Sequence, residues 1–363
     1  MLTEREMIEQ LRRGKVSLPP LSLRFLEDQP NAGGNLRLDA FMEASWRESA
    51  ARFAVECKSL STPKAFRNGL NFLKSSALPN GYHRMLFQSF LSDLQLQELE
   101  REGISGIDLC GNGVVIVPGT FAVFRSGERN RFPSSAPIKN IYRNNSSMVG
   151  RVFLARPVYE AVQELCAEIN RRNMLVVRWD KKPMNLSTVS KSLKALEQDL
   201  IVDRRGTIHL QQPDTLLEKL SGNYVAPKIK ERVRLKVSEA RETIRESLQK
   251  QSRELGLPLT ATGTSSVGQY AVMQRGDLLS VYCPRLEELA ARMSGRQSDH
   301  FPNLELIETE DETVYFDARQ EGNFWWASPV QVYLELMAGD KRDRDTAEQV
   351  KSLLLANIPR VQE

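Results

Sequence analysis

The chain has 363 residues, of which 41% are hydrophobic and 26% are charged, and its formal net charge at pH 7 is +4. This composition predicts two or three folded domains with hydrophobic cores and excludes a mostly disordered chain. The four cysteines form no Cys-x-x-Cys pair and the three histidines have no nearby metal-ligand partner, which argues against a disulfide framework, a zinc knuckle and histidine-dyad chemistry.

The N-terminal segment MLTEREMIEQLRR is charged and amphipathic. Thr3 and Glu6 have the spacing of a capping box, so we expect a helix here. The segment lacks the apolar core of a signal peptide, and no apolar run approaches the length that crosses a membrane. We therefore expect a soluble cytoplasmic protein without a membrane partner.

Helix and strand patterns alternate over the N-terminal third of the chain, which predicts a mixed α/β domain. Two strand candidates, Leu36 to Trp46 and Ala51 to Ser59, precede a helix that Ser61-Thr-Pro opens. Tyr82 to Leu91 is strand-like. ISGIDLCGNGVVIVPG predicts a hairpin that turns at Gly111-Asn112-Gly113.

Helical patterns dominate the middle of the chain, after a segment rich in Ser, Arg, Asn and Pro that predicts a basic linker. Apolar residues from Met148 to Phe153 indicate one helix, and those from Val158 to Ile169 indicate a second. The run LVVRW predicts a short strand. A third helix is expected from Ser187 to Asp199 with Ser187 as its N-cap, followed by a hairpin that turns at Arg205-Gly206.

Charge is distributed unevenly along the chain. Residues 170 to 210 include nine basic and four acidic residues, whereas the last 64 residues include six basic and thirteen acidic residues. A basic middle beside an acidic tail is typical of nucleic-acid binders, although charge runs also occur on ordinary solvated surfaces.

Three helices followed by a β-hairpin is the order of a winged helix-turn-helix. Val189, Leu193 and Leu196 form the expected core stripe of the third helix. STVSKSLKALEQDLIV with its arginine-rich wing resembles bacterial winged-helix regulators. The resemblance implies contacts with double-stranded DNA, although such a module can also serve protein contacts or dimerisation.

The DNA contacts are expected on the polar face of the third helix, the wing tip and the insertion before the third helix. In the insertion RNMLVVRWDKKPMN, Arg172 and Arg178 would add contacts to the DNA backbone. The other predicted DNA-binding residues are Thr188, Ser190, Lys191, Lys194, Arg204, Arg205, Lys181 and Lys182.

A strand alternates its faces, so Glu56 and Lys58 point the same way. Asp39 lies in the preceding strand candidate, and its carboxylate converges with that of Glu56 if the two strands are neighbours. Two carboxylates could hold Mg²⁺, and Lys58 could orient the attacking water or stabilise charge on a phosphate. Glu6 or Glu9 of the first helix could complete the site. The alternative is that Glu56 and Lys58 are ordinary polar residues of a solvated strand.

The order of a helix, an Asp in one strand, Glu-x-Lys in the next strand and a helix resembles the PD-(D/E)xK restriction-endonuclease-like superfamily. The resemblance implies catalytic roles for Asp39, Glu56 and Lys58, and metal binding by Asp39 and Glu56. Leu38 stands where the superfamily often has a proline.

GISGIDLCGNGVV, together with the winged helix, resembles AbiE-type antitoxin regulators of bacterial phage-defence and toxin–antitoxin loci, some of which carry an endonuclease-like N-terminal region. In that setting Asp108 and Asn112 shape a strand end and a turn.

The last third of the chain begins with a charged linking stretch from Pro227 to Glu254. TATGTSSV, LLSVYC, TVYFDA and a helix from Val330 supply its elements. Gly263-Thr-Ser-Ser266 resembles the start of a nucleotidyltransferase fold. The next strand offers Asp277 alone, with Ser280 where a second acid would be needed, so a degenerate, non-catalytic module is expected.

The sequence therefore predicts an α/β multidomain protein in four parts: an endonuclease-like domain at 1–124, a basic linker at 125–145, a winged helix-turn-helix at 146–226 and a degenerate nucleotidyltransferase-like module at 227–363. The predicted function is DNA binding with a Mg²⁺-dependent endonuclease-like domain, in a bacterial defence or toxin–antitoxin type system. Expected partners are double-stranded DNA, a protein bound through the C-terminal module and a second copy in a homodimer.

The alternative is a non-enzymatic transcriptional regulator or antitoxin that binds operator DNA through the winged helix. An RNA-binding module is less favoured, because no aromatic stacking motif is interleaved with the basic residues.

Overall fold

A computed structural model describes residues 2–28, 38–132, 140–177, 182–272, 277–356 and 358. The chain divides into two compact units, Met1–Pro137 and Ile138–Glu363. Both units mix helices and strands, so the predicted α/β class is confirmed. The boundary between the units falls inside the predicted linker at 125–145, and the finer four-part division stays a prediction.

The first unit is built on a seven-stranded sheet whose strands lie in sequence order. Its strands are β1 (Ser22–Asp28), β2 (Ala40–Trp46), β3 (Ser49–Lys58), β4 (Tyr82–Gln88), β5 (Ser105–Asp108), β6 (Gly113–Val117) and β7 (Phe121–Arg125). Its helices are α1 (Glu4–Arg12), α2 (Pro63–Ser75) and α3 (Asp93–Arg101). β3, β4 and β5 are parallel, and all other neighbours are antiparallel. Parallel neighbours need a crossover, which α2 and α3 supply.

Helices cover both faces of this sheet at β3. The capping box predicted for α1 is confirmed, because Thr3 and Glu6 exchange hydrogen bonds of 3.2 and 2.7 Å. α1 packs onto the face that holds Val55 and Cys57. α2 lies against the opposite face, where a side chain at Gly69 would contact Lys58. Alternation along β3 therefore directs Glu56 and Lys58 toward the side of α2.

The hairpin predicted after α3 is confirmed, and Asp108 holds its turn together. The buried carboxylate accepts five hydrogen bonds of 2.7–2.9 Å, from the backbone N–H groups of Leu91, Cys110, Gly111 and Asn112 and from the Asn112 side chain. The predicted structural role of Asp108 agrees with these contacts.

The second unit alternates short strands and helices through residue 222. They are α4 (Ser147–Phe153), β8 (Val158–Tyr159), α5 (Val162–Arg172), α6 (Met174–Val177), α7 (Leu186–Gln198), β9 (Val202–Asp203), β10 (Ile208–Leu210) and α8 (Pro213–Gly222). The strands form a small sheet in the order β8-β10-β9.

A five-stranded sheet with the order β12-β13-β15-β11-β14 follows, together with a two-stranded hairpin. The elements are β11 (Ile229–Val237), α9 (Arg241–Leu255), β12 (Thr260–Ala261), α10 (Gly263–Ser266), β13 (Leu279–Cys283), α11 (Leu286–Ala290), β14 (Gly295–Gln297), β15 (Leu304–Thr309), β16 (Arg319–Glu321), β17 (Phe324–Trp326), α12 (Pro329–Met337) and α13 (Lys341–Ala356).

One hydrophobic core joins the helical part of the second unit to the C-terminal helices. Val149 of α4 and Leu193 of α7 share this core with Leu334 of α12 and Val350 of α13. Ile141, from the segment predicted to be a linker, is also buried in it. The C-terminal helices therefore stabilise the part of the chain predicted to be a winged helix.

Several local predictions for the second unit were wrong. The first three residues of LVVRW, Leu175 to Val177, belong to α6 rather than to a strand, because a short apolar run does not distinguish the two structures. Arg178 and Trp179 lie outside the described residues. Val158 lies in a strand that precedes the second helix. α7 is capped by Asn185, whose Oδ1 accepts from Thr188 N at 2.8 Å, and not by Ser187. The stretch from 227 to 254 forms a strand and a helix rather than a link.

Replacing Asp108 with asparagine should destabilise the first unit by about 3 kcal/mol or more, because an amide nitrogen would then face backbone donors. Hydrogen exchange of peptides from β5 and β6 measures this change in the free energy of unfolding. Asp93→Asn is the control. Asp93 is exposed in the first turn of α3, so its neutralisation should change stability by under about 1 kcal/mol. Equal effects of the two substitutions would contradict the role given to Asp108.

Candidate functional site

The pairing of β2 with β3 brings Asp39 next to Glu56. These strands are antiparallel neighbours with Ala40 opposite Val55. One residue earlier, Asp39 N donates to Val55 O at 3.1 Å, and Asp39 Oδ2 accepts from Cys57 N at 2.7 Å. The charges of the two carboxyl groups act on each other, so the two groups lie close together. The convergence expected from the sequence is therefore present.

Lys58 completes this cluster from the same strand. Its Nζ donates a hydrogen bond to Glu56 Oε1. The Lys58 side chain is 25% exposed, whereas the Glu56 side chain is 7% exposed. The stem of Lys58 lies beside Gly69 of α2, where an added Cβ would be 3.2 Å from Lys58 Cγ. A glycine at this helix position leaves room for the lysine to lie against α2.

The acid that α1 contributes differs from the expected Glu6 or Glu9. Glu6 is engaged in the helix cap, and Glu9 pairs with Arg13 at 2.8 Å. Glu4, at the first position of α1, instead lies close enough for its charge to act on Asp39 and Glu56. Its backbone carbonyl also contacts Cys57 Sγ at 3.9 Å. The rotation of α1 about its own axis decides which acid faces the cluster. This rotation is set by the packing of the buried side chains of α1 against the sheet.

Gln88 is a second neighbour that sequence reasoning missed. In the parallel register of β3 with β4, Gln88 is directly beside Lys58. The side chain is fully buried, and its Nε2 donates to Leu60 O at 2.8 Å. Its Oε1 has no hydrogen-bond partner among the described residues. A buried acceptor without a partner is rare, and the strand register puts the residue that carries it next to Lys58.

Burial and charge shift the acid–base behaviour of this cluster. Burial and the nearby Asp39 charge raise the pKa of Glu56 to about 7, although Lys58 opposes the shift. Burial also raises the pKa of Asp39, and the Cys57 N–H opposes this. Burial lowers the pKa of Lys58, but the hydrogen bond to Glu56 and the surrounding carboxylates outweigh burial and raise it. Glu56 is therefore the member of the cluster whose pKa lies near neutral pH.

The donor set of the cluster fits a hard divalent cation. Asp39 and Glu56 offer carboxylate oxygens, which Mg²⁺ prefers, and Mg²⁺ commonly uses one or two carboxylates and keeps several waters. A cation would also relieve the repulsion that raises the pKa of Glu56. Within the described ranges, no group of three or more His, Cys, Asp or Glu side chains is arranged to hold a metal.

Polar residues of α7 lie on its exposed side, as predicted. Lys191 and Lys194 are exposed, and neither makes an ion pair within the described part of the chain. Thr188 and Ser190 are partly exposed next to them. The predicted core residues Val189, Leu193 and Leu196 are buried.

The turn between β9 and β10 presents two arginines that already have acidic neighbours. Arg205 contacts Asp203 at 2.6 Å, yet its side chain is 88% exposed. Arg204 lies 3.6 Å from Glu197. Ion pairs at or near the surface contribute little to stability, so Arg205 can pair with another anion at little cost, and the partly exposed Arg204 can do so to a lesser degree.

The insertion before α7 is only partly described. Lys182 is exposed, whereas Arg178 and Lys181 lie outside the described residues. Arg172 does not serve as the expected DNA contact, because it is largely buried between Glu168 at 2.7 Å and Asp317 at 2.5 Å. The sequence around Arg172 could not predict this pairing, because Asp317 is 145 residues away along the chain.

Comparison with family models, with curated proteins and with solved structures found no match for this chain. Within the described ranges, no helix has the length and apolar character needed to cross a membrane.

Replacing Glu56 with glutamine should change how stability depends on pH. Because the folded pKa of Glu56 is raised, its protonated form stabilises the native state at low pH, and that contribution is lost as pH rises through about 7. The unfolding temperature of Glu56→Gln minus that of the wild type should therefore be larger at about pH 8 than at about pH 5. Calorimetric scans at both pH values measure this difference, and an opposite trend would contradict the raised pKa.

Proposed function

We propose that this chain is a DNA-binding protein whose first unit is a restriction-endonuclease-like domain with a Mg²⁺-dependent phosphodiesterase site. The observation that carries the proposal is the convergence of Asp39, Glu56 and Lys58 at one end of β3. The order of α1, the antiparallel strands β1 to β3, α2 and the parallel β4 also supports it. This order is the one on which the resemblance to the PD-(D/E)xK superfamily rests.

Each residue of the cluster has a chemical task in this proposal. Asp39 and Glu56 would hold the metal, with Glu4 adding negative charge nearby. A bound Mg²⁺ would supply Lewis-acid activation of a phosphate and of a water. Lys58 donates hydrogen bonds from a fixed stem, so it can orient a water or stabilise negative charge on a phosphate.

Lys58→Ala should lower the rate of plasmid cleavage in Mg²⁺ or Mn²⁺ by at least about a hundredfold, because it removes the charged donor from the site. Lys74→Ala is the control, since Lys74 lies on the same unit and pairs with Glu102 at 2.7 Å away from the cluster. Agarose gels with supercoiled, linear and single-stranded DNA measure cleavage. If purified wild-type protein cleaves none of these forms, the nuclease proposal is wrong.

For the second unit we propose a winged helix-turn-helix that binds double-stranded DNA. The helices α4, α5 and α7 precede a β9–β10 hairpin, and β8 adds a third strand to it. Lys191 and Lys194 on α7 support this assignment, because both are exposed and neither makes an ion pair with another described residue. Arg204 and Arg205 at the hairpin turn extend the cationic surface toward a wing.

A second candidate function is a non-enzymatic regulator of the antitoxin type, in which the first unit serves as a scaffold. One observation favours it: Lys58 is paired with Glu56, a carboxylate that a metal would require. In this case α7 and the wing would carry the function by binding operator DNA. Either function suits a cytoplasmic protein of a bacterial defence or toxin–antitoxin type system.

For the C-terminal part we propose a nucleotidyltransferase-like module without catalysis. Asp277 is exposed ahead of β13, and Ser280 donates to Glu305 at 2.8 Å where a second acid would be needed. Binding of a protein partner, or assembly into a homodimer, is the proposed role of this module.

Replacing both Lys191 and Lys194 with alanine should weaken DNA binding about tenfold or more and reduce the salt slope of log K by about 2, because two phosphate contacts are lost. Fluorescence anisotropy with a labelled duplex over a range of salt concentrations measures both quantities. The control replaces Lys250 and Arg253, which are exposed on α9, with alanine. If the α7 and α9 variants behave alike, α7 is not the recognition helix.

A further inference from the structure

Strand β11 separates apolar from cationic side chains along its length. Val233, Leu235 and Val237 face the core, where Ile244 and Leu248 of α9 pack against the sheet. The alternating positions carry Arg232, Arg234 and Lys236, so these side chains project from the opposite face of the sheet. The fold needs the apolar set to form this core, but it does not need three cations on the other face.

The edge strand β14 adds a fourth cation to this face. Arg296 lies directly opposite Lys236 in the antiparallel pair β11–β14. Like charges directly opposite each other destabilise a sheet. In the portion of the chain that the structure describes, neither Lys236 nor Arg296 has an ion-pair partner, and both are exposed. An anion bound between them would remove this repulsion.

The two arginines also retain capacity to bind an anion. Arg234 Nε and Arg232 Nε lie 3.0 and 3.6 Å from Glu305 Oε1, and Ser280 donates to the other oxygen of that carboxylate. The arginine side chains are 41% and 44% exposed, whereas that of Glu305 is 7% exposed. Since a guanidinium group has five N–H donors, its Nη groups remain for a ligand in solvent.

The accessible part of this face has the chemistry of a phosphate-binding surface. Toward β13 and β15 the face is covered, because Tyr282 and Ile307 are buried with Val314 and Tyr315. Toward β11 and β14 the strand positions of this face carry Arg232, Arg234, Lys236 and Arg296. The exposed Phe301 lines a cavity together with Lys236. One exposed aromatic ring offers little of the apolar core that contacts with a protein partner need, whereas a chain of phosphates needs only cations.

We propose that this cationic face, defined as Arg232, Arg234, Lys236 and Arg296, binds the sugar–phosphate backbone of DNA without reading its bases. Cations at alternate positions of β11 are about 7 Å apart, which suits a ligand with regularly repeated charges. The same compact unit holds α7, so the face provides a second DNA contact in addition to the proposed recognition helix. The face would raise affinity and the salt dependence of binding without changing sequence preference.

The test replaces Lys236 and Arg296 together with alanine in the full chain. We expect the salt slope of log K for a labelled DNA duplex to fall by about 2, with a similar loss of affinity for two duplexes of unrelated sequence. The matched control is the Lys250 and Arg253 double alanine variant, which removes the same charge from α9 on the opposite side of the sheet. Thermal unfolding of each variant verifies that it is folded.

Comparison with the α7 double variant separates this proposal from the winged-helix proposal. A reduced slope for the Lys236 and Arg296 variant, with no change for the α9 control, supports the cationic face whether or not α7 binds DNA. If the slope and affinity of that variant equal those of the wild type, or if the α9 control loses as much, the proposed face is refuted. A matching loss with single-stranded RNA but none with duplex DNA would also refute the DNA assignment.

Discussion

The alternation of side chains along β3 is the constraint on which the first unit depends. Helices cover both sides of the strand. Only every second residue of β3 can therefore pack against α1, and this set includes Val55 and Cys57. The intervening positions must then carry Glu56 and Lys58 toward α2. A shift of one residue in the register would bury both charges under α1. The same pattern that builds the core therefore fixes the polar cluster.

The cluster is held in place by the backbone as well as by side chains. Asp39 accepts from the N–H of Cys57, which ties the start of β2 to the end of β3. Burial makes the charged carboxylates unfavourable, and the cluster offsets this through the Cys57 N–H that donates to Asp39 and the Lys58 ammonium that pairs with Glu56. The carboxylate oxygens that take up a proton in this site are the ones that would bind a cation.

In the second unit, a buried polar chain connects the helical part to the five-stranded sheet. Arg151 of α4 donates to Gln331 of α12 at 2.9 Å, and Gln331 donates to Glu335 at 2.9 Å. Glu335 also accepts from Tyr282 of β13 and from the backbone N–H of Thr264. Burial lowers the pKa of Arg151 and raises that of Glu335. Removing one member would leave its neighbours buried without partners, so the two parts are stabilised together.

The sequence by itself determined the elements and the polar faces that local patterns encode. The capping box at Thr3, the strands around Glu56 and the core stripe of α7 each depend on neighbours a few residues away. Only the tertiary structure decided which distant residues meet. Glu4 rather than Glu6 faces the cluster, Gln88 lies beside Lys58, and Arg172 is held by Asp317. These outcomes depend on strand register and on the packing of helices against sheets, which connect residues that no local pattern relates.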